Sequence, residues 1–312
     1  MQQRLKGRVA IVAGATRGAG RGIACMLGEA GATVYCSGRS TREHPCSSGF
    51  FAGRPETIDE TAEMVAGCGG TGIPVRTDHL VPEQVEVLVE RVRKEQGRLD
   101  VLVNDISEGN THEWKPFWQL DVERGFHMLR NALHSHIITA RYAAPLMVEK
   151  RPTKKPTGLI VEIGDGDTLN YRATLFYDLV KVSVSRFAYA MAEDLSKHRI
   201  AALAVTPGFM RTETILDHFD VRESNWRDAI KKDPAFAASE TPFFVGRAVA
   251  ALASDPRILE KSGGLYSSWN LAREYKFNDM DGSRPDFGRV FKEHPEWLRP
   301  KTNFRWSIRK SK

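Results

Sequence analysis

Seven short apolar runs punctuate the chain, and longer stretches with helical spacing separate them. The runs fall at 8–13, 33–36, 73–76, 99–103, 158–163, 200–206 and, more weakly, 265–267. The helical stretches lie near 18–30, 57–67, 82–96, 121–149, 175–198 and 241–253. Strands that are apolar throughout, rather than alternating, are buried on both faces, and repeated strand–helix units return each strand parallel to the last. The pattern predicts an α/β protein with a doubly wound parallel sheet covered by helices on both faces. In such sheets ligands bind beyond the carboxyl ends of the strands, where the strand order reverses. A length of 312 residues with 41% hydrophobic content is enough to bury the core of one large domain.

Composition narrows the classes further. No 18-residue apolar run predicts a membrane span, and the polar start MQQRLKGR does not read as a signal peptide, so a cytoplasmic protein is expected. Cys25, Cys36, Cys46 and Cys68 lack paired spacing and read as reduced thiols. The net charge of +6 is local, because residues 284–312 hold nine Lys/Arg against three Asp/Glu. That concentration reads as a solvated or subunit-docking tail rather than a nucleic-acid surface. Two stretches look irregular, Ser40–Pro55 and Thr212–Pro242, and the second lies where a substrate lid would sit.

Two motifs carry chemistry. The first is AGATRGAG at 13–20, between an apolar run and a helical pattern. Gly14 can supply a tight turn, Gly18 lets backbone approach a pyrophosphate, and Gly20 allows close packing of helix on strand. The helix N-terminus then offers free N–H groups to the anion. The second is Tyr177 and Lys181, one helical turn apart on one face. A neighbouring ammonium favours the phenolate, so the pair is expected to lower the tyrosine pKa toward useful proton exchange with a carbonyl or alcohol. Either motif alone recurs by chance; together and in this order they are specific.

With Pro207-Gly208 following the sixth run, the chain resembles the short-chain dehydrogenases/reductases over residues 7–270. The resemblance implies a single Rossmann-type domain with a seven-stranded parallel sheet, a lid at about 209–242 and a basic, aromatic extension over 271–312. It further implies a nicotinamide cofactor, a small carbonyl or alcohol substrate, and a homodimer or homotetramer, with no nucleic-acid or membrane partner. The family's T-G-x-x-x-G-x-G stands here as Ala13-Gly14-Ala15-Thr16-Arg17-Gly18-Ala19-Gly20. Asp78 corresponds to the adenine-contacting Asp after the third strand, and Asn104 is the surviving residue of N-N-A-G, followed by Asp105-Ile106-Ser107. P-G-x-x-x-T is present as Pro207, Gly208 and Thr212, whose hydroxyl holds the nicotinamide carboxamide in the family.

Cofactor choice follows from charge. NAD enzymes place a carboxylate at the end of the second strand for the ribose 2′-hydroxyl. Here that strand ends Ser37-Gly38-Arg39, and Arg17 lies in the glycine turn. Two guanidinium groups suit a 2′-phosphate, so NADP(H) is expected.

The active centre departs from the family pattern. The Ser that stands twelve or thirteen residues before the Tyr is replaced by Asp165 and Gly164. Asn131 falls one position before the place of the family's helix Asn, near residue 132, which is Ala here. Three readings of Asp165 stand open: a protonated carboxyl that donates to the reacting oxygen, an acceptor for a second polar group on the substrate, or a solvated Gly-Asp-Gly-Asp turn. His134 and His136 face different directions on a helix and make a poor metal pair. Trp114, Phe117, Trp118 and Phe126 read as core or subunit-contact aromatics. Residues 281–286 read as a turn, not a calcium loop. Met210, Phe219, Trp226 and Phe236 are expected to form an apolar pocket wall. The set reads as an NADP(H)-dependent oxidoreductase with Tyr177 as the proton donor or acceptor; the alternative is a catalytically weak NADP-binding sensor or scaffold.

Overall fold

The computed structural model describes residues 3–47, 49–107, 113–149, 158–168 and 171–294. Its centre is a seven-stranded parallel sheet in the order β3-β2-β1-β4-β5-β6-β7. The strands are β1 (Val9–Ala13), β2 (Thr33–Gly38), β3 (Thr71–Arg76), β4 (Val101–Asn104), β5 (Gly158–Ile163), β6 (Ile200–Thr206) and β7 (Leu265–Ser267). β1 pairs with β2 on one side and β4 on the other, so the order reverses there. The crevice of a doubly wound sheet therefore opens at the carboxyl ends of β1 and β4.

Each central strand alternates its side chains between two apolar layers. Ala10, Val12, Val34, Val103 and Val161 join α1 (Gly18–Glu29), α2 (Ile58–Gly67) and α8 (Pro242–Ala253) on one face. Ile11, Tyr35, Leu102 and Ile160 join α3 (Pro82–Gln96), α5 (Ser135–Val148) and α6 (Leu175–Leu195) on the other. α1 and α8 approach through backbone: a Cβ added to Gly22 would lie 2.1 Å from the Pro242 carbonyl oxygen. Thr57 caps α2 by accepting the Glu60 N–H, while α3 starts on Pro82 and ends at Gly97 in the left-handed region. The edge strand β3 is partly exposed and carries Pro74, which blunts edge pairing.

The long helical stretch expected at 121–149 is interrupted. It consists of α4 (Val122–Leu129), a π-helical turn over Arg130–His134, and α5. A π-helical turn holds one residue more than an α-turn, and Asn131 lies within it. The stretch read as irregular over Thr212–Pro242 contains α7 (Glu213–His218) and two 3₁₀ segments. Beyond β7, the chain adds α9 (Ser268–Tyr275) and α10 (Phe287–Glu293). Of the extension expected over 271–312, residues 295–312 lie outside the described residues.

Candidate functional site

The glycine turn leaves β1 with Gly14 at φ +92° and enters α1 with Gly18 at φ +54°. Neither conformation suits a residue with a Cβ. A Cβ on Gly14 would lie 2.5 Å from the Asp105 carbonyl oxygen, and one on Gly20 would lie 2.2 Å from the Gly14 carbonyl oxygen. The turn is thus closed by main chain against main chain. Thr16 and Ala19 are buried within it.

The free amino end of α1 already holds an anion. Gly18 N–H donates to Glu213 Oε2 at 3.0 Å, and Arg21 Nη1 lies 3.5 Å from Glu213 Oε1. This carboxylate comes from the start of α7, whose N-cap is Thr212. Thr212 leans on the turn as well, its Cγ2 lying 3.4 Å from a Cβ added to Gly18. The donor set therefore fits the pyrophosphate of a dinucleotide, with a side-chain carboxylate meeting the same N–H.

The two arginines expected at the ribose end part company. Arg17 donates from Nε to Glu56 Oε2 at 3.1 Å and stacks over the Phe51 ring at 4.4 Å. Glu56 is also gripped by Arg54, which reaches Asp217 of α7. Arg17 Nη2 is buried without a hydrogen-bond partner. Arg39 is exposed just past β2 and makes no hydrogen bond or ion pair among the described residues. Asp78 caps its own turn, accepting the Leu80 N–H at 3.0 Å.

At the end of β4 the side chain of Asn104 turns away from the crevice and donates to Glu162 Oε1 at 2.7 Å. Glu162 is wholly buried in β5 and accepts His136 Nδ1 at 2.6 Å. Asp105 faces the crevice instead. The Gly20 N–H, the Lys181 ammonium and His136 favour its charged form, yet burial outweighs them and pushes its carboxyl up to about 7. Asp105 thus links the glycine turn to the helix of Lys181.

Tyr177 and Lys181 stand in the first turns of α6, with Lys181 Nζ 5.3 Å from the Tyr177 ring centroid. The Tyr177 hydroxyl donates to Asp165 Oδ2 at 2.6 Å. Burial, the Asp165 charge and this hydrogen bond drive the phenol well above its ordinary value, opposed only weakly by Arg172. The lowering expected from Lys181 is therefore not found in this arrangement. Lys181 lies over the face of the ring and bears on Asp105 instead, while the carboxylate holds the hydroxyl. Of the three readings of Asp165, the hydrogen bond to Tyr177 selects none; the carboxylate accepts from the protein's own phenol.

Asn131 is buried in the π-helical turn, with its Nδ2 lacking a partner and its carbonyl oxygen accepting the Ser135 hydroxyl. Pro207 and Gly208 lead from β6 into the lid, and Gly208 N–H donates to Glu240 Oε2 at 2.9 Å. Glu240 is buried beside Asp279 and also accepts the Ser268 hydroxyl, and desolvation raises its carboxyl to about 8. Met210 packs on the main core, whereas Phe219, Trp226 and Phe236 form a small core inside the lid. The expected pocket wall is thus the lid's own interior, with the Phe236 ring 4.9 Å from that of Phe219 and 5.9 Å from that of Trp226. Trp114, Phe117, Trp118 and Phe126 are exposed, with Trp118 at 71%, so the core reading fails for them and the subunit-contact reading stays open.

Sequence reasoning missed Glu213, Glu56 and the lid network, and passed over Asp105 and Glu162. A Glu inside the otherwise apolar run LIVEI was a usable signal. Glu213 meets Gly18 across 195 positions and left none. His134 is exposed and His136 buried, as their spacing implies, and no cluster of metal ligands occurs among the described residues. Cys25 and Cys36 are buried, Cys46 and Cys68 half-buried, and no disulfide joins them. No helix among the described residues is long and apolar enough to cross a membrane.

Comparison with known proteins places this geometry. The family model for short chain dehydrogenases matches residues 8–220. The mouse protein dehydrogenase/reductase SDR family member 1 is 36% identical over 286 residues, covering 89% of this chain and 85% of that one. Its human counterpart is 35% identical over the same shares. A solved structure of 3-oxoacyl-[acyl-carrier protein] reductase from Brucella melitensis in complex with NAD superposes with a TM-score of 0.67 at 22% identity, covering 84% of this chain and 95% of that one. Sheet order, glycine turn and family match agree: the chain belongs to the short-chain dehydrogenase/reductase family, the SDR oxidoreductases.

Proposed function

We propose that this protein is an NADP(H)-dependent oxidoreductase that interconverts a carbonyl and an alcohol, with Tyr177 exchanging the proton. The observation that carries the reading is Asp105, which accepts the Gly20 N–H of the anion-binding turn and feels the charge of Lys181 on the Tyr177 helix. Gly18 N–H and the amino end of α1 would hold the pyrophosphate in place of the Glu213 carboxylate. Arg39 would take the 2′-phosphate, since Arg17 is already paired with Glu56. Asp78 would border the adenine, and Thr212 with Pro207 and Gly208 the nicotinamide. A bound nicotinamide supplies or accepts the hydride. Tyr177 Oη meets the substrate oxygen, and Lys181 keeps a positive charge beside it. Asn131 is a candidate for proton exchange with solvent, through the unpartnered amide in the π-helical turn. The exposed aromatics at Phe117, Trp118 and Phe126 suit contact with a second copy, in line with a homo-oligomer.

Tyr177→Phe is expected to cut turnover of a carbonyl or alcohol panel by roughly 100-fold or more while NADPH binding persists. Arg39→Ala, titrated alongside, is expected to weaken NADPH about tenfold or more and to spare NADH. Retained turnover removes the role of Tyr177, and equal losses of the two cofactors remove the NADP(H) preference.

A further inference from the structure

The segment after β5 holds Asp165 by its main chain on both sides. Gly164 N–H donates to the Val205 carbonyl oxygen at 2.9 Å, and Gly166 N–H donates to Thr206 Oγ1 at 2.7 Å. Both anchors belong to the end of β6, so the sheet aims this carboxylate. Gly166, at φ +83°, holds a backbone conformation that disfavours a Cβ, with the Arg172 guanidinium lying over it. A freely solvated turn would need none of these constraints. The aimed carboxylate receives the one proton the Tyr177 hydroxyl has, at 2.6 Å. A phenol whose proton is committed offers a further ligand only its oxygen lone pairs. Such an oxygen meets a hydroxyl donor; a bare carbonyl oxygen finds no proton there.

We propose that Asp165 is the terminal proton acceptor of a Tyr177–Asp165 relay, and that the ligand matched to the resting site is an alcohol. This rests on the hydride-transfer reading above and deepens it. The substrate O–H bond breaks and its proton passes to Tyr177 Oη, while the Tyr177 proton passes to Asp165 Oδ2. The C–H electron pair leaves as hydride for the oxidised nicotinamide, and the carbonyl forms. In reverse, a protonated Asp165 resupplies Tyr177 as the phenol protonates the new alkoxide. No free phenolate is needed at any point. That matters because burial and the carboxylate charge both oppose a phenolate here. Among the described residues, the charged groups bearing on Tyr177 are Asp165 after β5, Arg172 before α6 and Lys181 on α6 itself. Met128 and Leu129 of α4 and Ala132 of the π-helical turn belong to the same apolar cluster as Tyr177.

The test begins on the protein without ligands. The tyrosinate absorbance of Tyr177 is read as the difference between a background and the same background carrying Tyr177→Phe. In the wild type it is expected to stay flat past the ordinary tyrosine range near pH 10, and in Asp165→Asn to rise at least roughly one pH unit earlier than in the wild type. Turnover supplies a second readout. Asp165→Asn is expected to slow alcohol oxidation near neutral pH by about 100-fold and to move the limb of the kcat/KM profile upward in pH. Asp165→Glu is expected to restore the limb, and Asp165→Ser to behave like Asp165→Asn. An unmoved tyrosinate midpoint, or a uniform loss of rate at every pH with the limb in place, overturns the relay. Absence of any turnover by the wild type removes the underlying hydride-transfer reading instead.

Discussion

The glycine turn and the lid face each other across the crevice, and they are held by opposite means. The turn is closed by backbone pressed on backbone at Gly14 and Gly20, and the charged side chains that meet it, from Arg17, Asp105 and Glu213, come in addition to that closure. The lid is organised around Arg211, fully buried, which stacks on Trp226 at 4.2 Å and donates to Glu223 and the Ser239 carbonyl oxygen. Asp279 lies 3.7 Å and Asp281 3.5 Å from its Nη2. Steric closure does not depend on pH, whereas a buried charge network does. The contrast identifies the turn as the fixed wall of the site and the lid as the wall whose stability solution conditions can change.

The largest blow to that contrast is Arg211→Ala, which leaves Asp279 buried without its cation. Breaking one side of a buried charge pair costs about 3–5 kcal/mol, so Tm should fall and limited proteolysis should cut first within 207–241. Equal protection of lid and core would erase the distinction. A smaller effect is expected from pH. Glu240 holds its proton to about 8 when folded, against an unfolded value of 4.5. Its contribution is therefore fully present below 4.5 and is lost as pH rises through 8. Glu240→Gln mimics the protonated form, so its stability relative to the wild type should climb between pH 5 and 9 by about 4 kcal/mol, read as a widening difference in Tm. A flat difference would mean that Glu240 is not the group that titrates. The smallest effect tests where the two walls touch. Glu213→Ala removes the carboxylate from Gly18 N–H and should tighten dinucleotide binding about fivefold, roughly 1 kcal/mol. An unchanged Kd would show the contact to be indifferent to the cofactor.

The same contrast explains what could be read from the chain beforehand. Seven strands were legible because parallel strands buried on both faces are apolar without interruption, and the glycine turn because only glycine satisfies its backbone. Tyr177 and Lys181 were legible because one helical turn fixes their common face. Glu213 was not, since the residue it meets lies 195 positions earlier and the contact exists only after folding. Phe219, Trp226 and Phe236 looked like a pocket wall because apolar spacing marks what is buried but not against what. The upward shift of Tyr177 was missed for a related reason. Sequence displays the neighbour one turn along the helix, and the stronger influence comes from Asp165 on a different element.

The π-helical turn at Arg130–His134 has a consequence for how the molecule tolerates change. That turn absorbs one residue; were the same residues wound as α-helix throughout, α5 would be rotated relative to α4 by about 100°. His136 would swing off Glu162, and Thr139 would leave His79, to which its hydroxyl is bonded at 2.8 Å. Two buried polar pairs beneath the sheet would be undone by that rewinding alone. The segment is therefore a place where chain length, more than residue identity, is under constraint.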